Sequence, residues 1–402
     1  MVKTKEINKK SNKKVRLEQD RKVLVAMSGG VDSSVAAALL KETGFEVVGA
    51  FIKAWSLNKE CNVRDSRDAR MVANKLGIPF YVFDFEKIYK EKVVDYFVKT
   101  YEKGETPNPD VLCNKEIKFG VFLEKAKKIG INLIATGHYA RLERESTKSK
   151  TRAQNKKFCA RLSTQMCALV QNPKIHLLKG KDKNKDQSYF LWQLTQKELK
   201  HSLFPIGDYW KSEIRELAKK FGLPTAEKKD SQGICFLGQV EIKDFLEKYL
   251  KPKPGKIILP DGRIVGEHEG IVFYTIGQRH GFNLAISKTG LKTQEPLFVV
   301  GKRVKDNVLV VAPGRDNLLL YKKQIWLDKV NFVSGLKPES AIKVGSSIRY
   351  RQKPEKATLD FIIEKGLWLL NFKKPVWAPA LGQSAVFYQK EELIGGGIIV
   401  GY

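Results

Sequence analysis

The chain has 402 residues, 42% of them hydrophobic, and carries 73 Lys and Arg against 44 Asp and Glu, a net charge of +29. Such a length accommodates two to three domains of roughly 100–200 residues, which excludes a lone binding module, and no apolar run approaches the roughly 18–20 residues of a membrane-spanning helix. The basic excess points to a polyanionic partner, nucleic acid before a membrane surface.

Residues 1–21 read as a basic, solvated tail. Lys22–Met27 predicts a buried strand, Ser28–Ser34 a glycine-rich loop and Val35–Thr43 a helix. Phe45–Ile52 and Ile78–Phe85 predict further strands, flanking a helix over Asp65–Leu76 that Gly77 and Pro79 end. Helices follow over Glu86–Lys103 and Lys115–Ile129, then a strand at Asn132–Thr136. Alternating strands and helices predict an α/β class with a doubly wound parallel sheet. Residues 144–173 break the rhythm and read as an irregular insertion within a first domain of 22–240, whose last predicted helix is Trp210–Phe221. A small β-rich middle domain is expected over 241–313. A C-terminal all-β barrel is expected over 314–402, with strands near Gln324–Val333, Ser347–Gln352, Ala357–Ile363, Leu367–Phe372 and Gln383–Tyr388.

Ser28-Gly-Gly-Val-Asp-Ser33, between a strand and a helix, offers successive backbone N–H groups at a helix N-terminus, where dipole and donors favour phosphate. It has neither the Walker spacing nor G-x-G-x-x-G. A plain structural alternative is a tight turn capped by Ser28 or Asp32. The segment resembles the PP-loop of the ATP pyrophosphatases, which implies an AMP-forming reaction.

Cys61, Cys113, Cys159, Cys167 and Cys235 are odd in number and form no C-x-x-C signature, so a reducing cytoplasm is the expected location. Thr106-Pro-Asn-Pro-Asp-Val-Leu-Cys113-Asn-Lys115 is a Pro-stiffened loop feeding a helix. That setting predicts an accessible Cys113 beside a helix N-terminus and Lys115, favouring thiolate. Lys229-Asp-Ser-Gln-Gly-Ile-Cys235-Phe places a second accessible cysteine after a glycine turn, whereas Cys61 reads as a buried small hydrophobe.

The two cysteine segments resemble those of the tRNA-specific 2-thiouridylases. The likeness extends to Thr136-Gly-His-Tyr-Ala-Arg141, Lys185-Asp-Gln-Ser-Tyr-Phe190, Gly277-Gln-Arg-His-Gly281, Arg349-Tyr-Arg-Gln352 and Gly382-Gln-Ser-Ala-Val-Phe-Tyr388, spanning about Lys22 to Ile399. It implies that Ala26, Met27, Ser28, Gly29, Gly30, Val31, Asp32 and Ser33, with Ile52 and Gly137, contact ATP. Asn108, Pro109 and Asp110 would surround a flipped-out wobble uracil. His138, Lys185, Asp186, Gln187, Arg349, Tyr350 and Gln383 would touch tRNA. Ile52 stands where the family leads one to expect Met.

The implied reaction consumes ATP with Mg²⁺, with no permanent metal or organic cofactor. The uracil C2 oxygen is adenylated, Cys235 delivers persulfide sulfur, and Cys113 releases the product, leaving a transient Cys113–Cys235 disulfide; a variant frees hydrosulfide as nucleophile. Asp110 is the expected general acid or base, or else an N-cap. The implied partners are tRNAs for Glu, Gln and Lys and a sulfur-relay protein or cysteine desulfurase. A PP-loop ligase would need no Cys235, and a non-catalytic RNA-binding protein would need neither cysteine.

Overall fold

The computed structural model describes residues 21–145, 174–230, 233, 236–238, 240–281, 283–284 and 295–402. The tail, most of the insertion, Cys159, Cys167 and Cys235 lie outside the described residues.

Strand β1 (Lys22–Ala26) is followed by α1 (Val31–Glu42), β2 (Glu46–Lys53), α2 (Lys59–Leu76) and β3 (Phe80–Asp84). The apolar run of β1 suits a strand covered on both faces, and Val23, Leu24 and Val25 are fully buried. Asn58 caps α2 through its side chain, and Gly77 ends it in the left-handed conformation. α3 (Glu86–Tyr89) and α4 (Asp95–Glu102) are joined by a π-helical turn, Lys90–Val94. The next helix starts at Pro109, six residues before the expected Lys115, and runs through α5 (Pro109–Leu112), a π-helical Cys113–Val121 and α6 (Phe122–Lys128). Proline at the first helical position explains the early start, since its missing N–H is unneeded there.

β4 (Leu133–Ala135) then precedes a hairpin of β5 (Ala140–Arg144) and β6 (Ile175–Lys179), which brackets most of the irregular insertion. α7 (Gln196–Leu199), β7 (Ser202–Leu203) and α8 (Lys211–Lys220) complete the region. The first sheet is parallel throughout, in the order β3-β2-β1-β4-β7. Strand order reverses at β1, so the crevice between the carboxyl ends of β1 and β4 is the switch point where such sheets take ligands.

After α9 (Ile242–Leu246), a second sheet contains β8 (Gly255–Ile258), β9 (Ile264–His268), β10 (Asn283–Leu284), β11 (Leu297–Arg303) and β12 (Val308–Pro313), in the order β10-β9-β8-β12-β11. The last six strands are β13 (Tyr321–Phe332), β14 (Ile342–Ser347), β15 (Glu355–Ile362), β16 (Leu367–Trp377), β17 (Ser384–Gln389) and β18 (Glu392–Gly401). They pair as β13-β16-β15-β14-β17-β18, and β13 meets β18 to close an antiparallel barrel. The expected α/β domain, β-rich middle and C-terminal barrel are therefore all present.

Of Ser347–Gln352, expected as a strand, only Ser347 is in one, as the end of β14, and the rest turns: the Ser347 hydroxyl donates to the Gln352 carbonyl, and Gln352 Oε1 accepts from the Ile348 N–H. β18 pairs with β6 through Leu393 and Leu177, so the hairpin of the first domain extends the barrel sheet. One apolar cluster accordingly runs from Phe97 and Phe122 to Val386 and Leu393. No helix among the described residues is long and apolar enough to cross a membrane.

Candidate active site

The loop after β1 meets α1 without a side-chain cap: the N-cap is Gly30, not Ser28 or Asp32. The first N–H groups of α1 are thus left for an anion. Ser28 and Ser33 brace the loop, the Ser28 N–H donating to Ser33 Oγ at 3.1 Å, and Ser34 Oγ donates to the Gly30 carbonyl at 2.7 Å. Gly29 has φ +73°, and a Cβ there would stand 2.3 Å from the Asp65 carbonyl oxygen, so α2 closes on the loop only because the residue is glycine. Gly137, after β4, lies equally close: its Cβ would be 2.7 Å from the Ser33 nitrogen. Ile52, one residue before the end of β2, is half-buried.

Asp32 Oδ1 accepts from the Tyr139 hydroxyl at 2.7 Å and from Lys211 Nζ at 2.7 Å. Lys211 also pairs with Asp230 at 2.8 Å, and Asp230 takes Lys185 at 2.7 Å and Arg215 at 2.8 Å. Burial works to raise the Asp230 carboxyl, but hydrogen bonds from Lys185 and Lys211 hold it down at about 2. Asp32 is the loop's only carboxylate, and the hydrogen bonds it accepts from the described residues all fall on Oδ1. Mg²⁺ commonly binds through one or two carboxylates plus substrate phosphates, and a free Oδ2 fits that demand. Among the described residues no group of three His, Cys, Asp or Glu side chains is arranged to hold a metal.

The second half of the site is the start of α5. Asn108, not Asp110, is the N-cap, its Oδ1 accepting from the Val111 N–H. Asp110 sits one turn before Cys113 and is raised by burial, with Lys118 opposing. Cys113 is 7% exposed, contrary to the expectation of an accessible thiol. Burial pushes its thiol up, against Lys118 and a Tyr89 hydrogen bond that pull it down. The expected thiolate setting is thereby overturned: desolvation outweighs the helix terminus, and Lys115 is engaged with Glu198 at 3.6 Å. Cys61, expected to be buried, is partly exposed on α2.

The barrel holds this segment in place. Gln383 Nε2 donates to the carbonyls of Thr106 and Pro107, at 3.0 and 2.9 Å, and the Thr106 N–H donates to the Leu381 carbonyl. Thr106 Oγ1 lies 2.9 Å from Thr275 Oγ1 of the middle domain. Tyr189 OH donates to the Ser384 carbonyl at 2.8 Å. Beside it the Phe190 and Tyr350 rings lie 4.5 Å apart, forming a half-buried aromatic shelf.

The residues expected to touch tRNA divide. Tyr350 and Lys185 are partly exposed. His138 is buried between Phe119 and Phe204, bonded to Thr136, and burial keeps its imidazole neutral. Asp186 accepts from the N–H groups of Gly180 and Ser188, and Gln187 Oε1 from the Tyr139 N–H. Arg349 donates to the carbonyls of Ile276 and Ala378, clipping the barrel to the middle domain. Lys211, Lys118 and Tyr139 escaped sequence reasoning; Tyr139 stands inside a quoted motif and Lys118 three residues beyond one, but nothing marks Lys211, which only tertiary structure brings to the loop.

A parallel sheet with an uncapped glycine loop at its switch point defines a nucleotide-binding domain of the HUP class. The family model described as "tRNA methyl transferase HUP domain" matches residues 21–239, "tRNA methyl transferase PRC-barrel domain" matches 243–313, and "Aminomethyltransferase beta-barrel domain" matches 322–399. The chain is 45% identical over 384 residues to the tRNA-specific 2-thiouridylase MnmA of Geobacillus thermodenitrificans, covering 94% of this chain and 95% of the relative. It is 44% identical to that of Listeria monocytogenes, with the same coverage, and 43% identical to that of Lysinibacillus sphaericus, covering 96% of each. The chain belongs to the tRNA-specific 2-thiouridylase family.

Proposed function

We propose that this protein is a tRNA-uridine 2-sulfurtransferase, forming 2-thiouridine at the wobble position with ATP and releasing AMP and pyrophosphate. The observation that carries the reading is the union, in a chain 45% identical to named 2-thiouridylases, of an uncapped phosphate loop with the Asn108–Cys113 segment.

Exchange of a carbonyl oxygen for sulfur requires a leaving group better than oxide. The uracil C2 oxygen attacks the α-phosphorus, pyrophosphate departs, and AMP becomes that leaving group. The loop N–H groups and α1 hold the phosphates; Mg²⁺, held by Asp32 and the phosphates, would neutralise their charge. Asp110, whose carboxyl burial raises above its ordinary value, one turn before Cys113, is the general acid or base of these steps. A persulfide on Cys235 adds its terminal sulfur at C2 and AMP leaves. The Cys113 thiol then attacks the Cys235 sulfur, its proton passing to the departing 2-thiouridine sulfur as the S–S bond breaks with its electrons staying on 2-thiouridine, and the resulting disulfide is reduced by a two-electron donor. Free hydrosulfide is the alternative nucleophile.

The aromatic shelf of Phe190 and Tyr350 suits stacking of a splayed loop base, and the +29 charge suits a tRNA backbone. We assign tRNAs for Glu, Gln and Lys as substrates, a sulfur-relay protein or cysteine desulfurase as donor, and the cytoplasm as the site of action. The test incubates the protein with an unmodified lysine or glutamate tRNA transcript, Mg-ATP and a persulfide donor, a cysteine desulfurase with L-cysteine, followed by nucleoside mass spectrometry. A 2-thiouridine peak lost in Cys113→Ala and Cys235→Ala supports the reading. AMP without thionucleoside overturns the sulfur assignment and favours a ligase.

A further inference from the structure

Tyr139 stands in the turn between β4 and β5, two residues after the Gly137 that abuts the first turn of α1. It is 1% exposed and belongs to the apolar cluster that includes Val31 and Val35 of α1. A tyrosine buried so deeply needs a partner for its hydroxyl, and here the partner is a carboxylate, Asp32 Oδ1 at 2.7 Å.

The phenol is set by contacts that do not involve the loop. The Tyr139 N–H donates to Gln187 Oε1 at 3.0 Å, and the Tyr139 carbonyl accepts from the Gln187 N–H at 2.9 Å. Gly180 presses on the same carbonyl, where a Cβ would stand 2.6 Å from the oxygen. With backbone and ring both held, the Asp32 carboxylate takes its orientation from the phenol. Gln187 Oε1, in a residue expected to touch tRNA, is spent on this task.

Lys211 Nζ reaches the same Oδ1 at 2.7 Å, from the first turn of α8. Two donors from different elements on one oxygen fix the rotation of the carboxylate, and among the described residues nothing donates to Oδ2. The Asp32 side chain is still 32% exposed, so a ligand can reach it. The two donors differ in kind. Lys211 brings a charge that it shares with Asp230, whereas the phenol brings direction with no charge and leaves the carboxylate anionic for a cation.

We propose that Tyr139 is a positioning residue that turns the Asp32 carboxylate so that Oδ2 is presented to the Mg²⁺ of Mg-ATP. The inference rests on the ATP and Mg²⁺ of the function proposed above. Tyr139 touches neither nucleotide nor metal; it acts through Asp32, and its contribution to nucleotide binding is confined to the metal-dependent part.

The experiment uses full-length wild type and Tyr139→Phe, which keeps the ring and removes only the hydroxyl, with folding checked by thermal melting. Calorimetry measures the dissociation constant of ATP in EDTA and of Mg-ATP, and Mn²⁺ electron paramagnetic resonance follows metal capture in the presence of ATP. In Tyr139→Phe the metal-free ATP constant is expected to stay within about twofold while the Mg-ATP constant rises about tenfold, as for loss of a hydrogen bond to a charged group, with a matching loss of bound Mn²⁺. Equal changes with and without metal, or no change in either, would overturn the inference and leave Tyr139 a core residue that satisfies its own hydroxyl. A wild type that binds ATP no better with Mg²⁺ than without it would overturn it as well. If the metal-selective shift appears but wild type makes no 2-thiouridine, the inference is upheld and the function fails.

Discussion

Gln383, at the mouth of the barrel, donates its amide hydrogens to the backbone of Thr106 and Pro107, at 3.0 and 2.9 Å, across an interval of 277 residues for the first of these bonds. The next residues are Asn108, Pro109 and Asp110, so the barrel grips the segment assigned to the target base. Each bond is worth about 0.5–1.5 kcal/mol net, and a loss of 1.4 kcal/mol in the transition state is tenfold in rate. Gln383→Ala is expected to lower the turnover number for thiolation about tenfold while tRNA affinity by filter binding changes less than twofold. The reverse pattern, weaker binding at unchanged turnover, would make Gln383 a direct tRNA contact.

Cys113 is expected to alkylate slowly at neutral pH. Burial raises its thiol and Lys118 opposes that rise, so the pH midpoint of iodoacetamide labelling, followed on the Cys113 peptide by mass spectrometry, should lie above the ~8.5 of a free cysteine. Lys118→Gln should move it higher still. A midpoint below 8 would show that the thiol is not desolvated.

Gly137→Ala should damage nucleotide binding selectively. The added methyl would stand 2.7 Å from the Ser33 nitrogen and 2.8 Å from the Asp32 carbonyl carbon, both in backbone that has no room to yield without moving the first turn of α1. Overpacking of this kind costs about 1–3 kcal/mol. The ATP dissociation constant by calorimetry should rise about 5- to 150-fold; an unchanged value would mean that this turn does not touch the nucleotide.

Lys302 gives the middle domain a pH dependence of its own. Burial lowers its ammonium to about 8, with Glu105 opposing, and the group donates to the Tyr274 carbonyl. A base whose folded pKa lies below its unfolded value of ~10.4 adds stability as pH rises through that window, and loses it as pH falls through 8. Wild type should gain about 1–3 kcal/mol relative to Lys302→Met between pH 8 and 10, read from denaturant melts. Parallel curves for the two proteins would discount the buried charge.

The parts of the fold legible in sequence were those written in local periodicity and turn chemistry. The apolar Lys22–Met27 run, the Gly77-Pro79 helix stop and the glycine loop each act within a few residues. The start of the Cys113 helix was missed because Pro109 reads as a loop residue until one sees it at the first helical position. The Cys113 environment was misjudged because helix-terminus and lysine effects are visible in sequence, whereas Tyr89, which hydrogen-bonds the thiol, and the apolar cluster that it shares with Phe97 and Phe236 are assembled from distant segments. The same holds for Arg349 and Gln383: their motifs can be quoted from the chain, but their carbonyl partners 29 to 277 residues away cannot.

The seam between β6 and β18 carries a consequence for how the chain is made. β6 leaves the ribosome some two hundred residues before the strand that covers it, an interval of roughly 10–40 s at ~5–20 residues per second. Throughout that time Leu177 and Leu178 lack the partners Leu393 and Glu392, and the hairpin presents an open edge of the kind that invites intermolecular pairing. The ten residues of β18 therefore act as the stitch that retires this edge, and a nascent chain stalled short of β18 carries a sticky strand rather than a finished first domain.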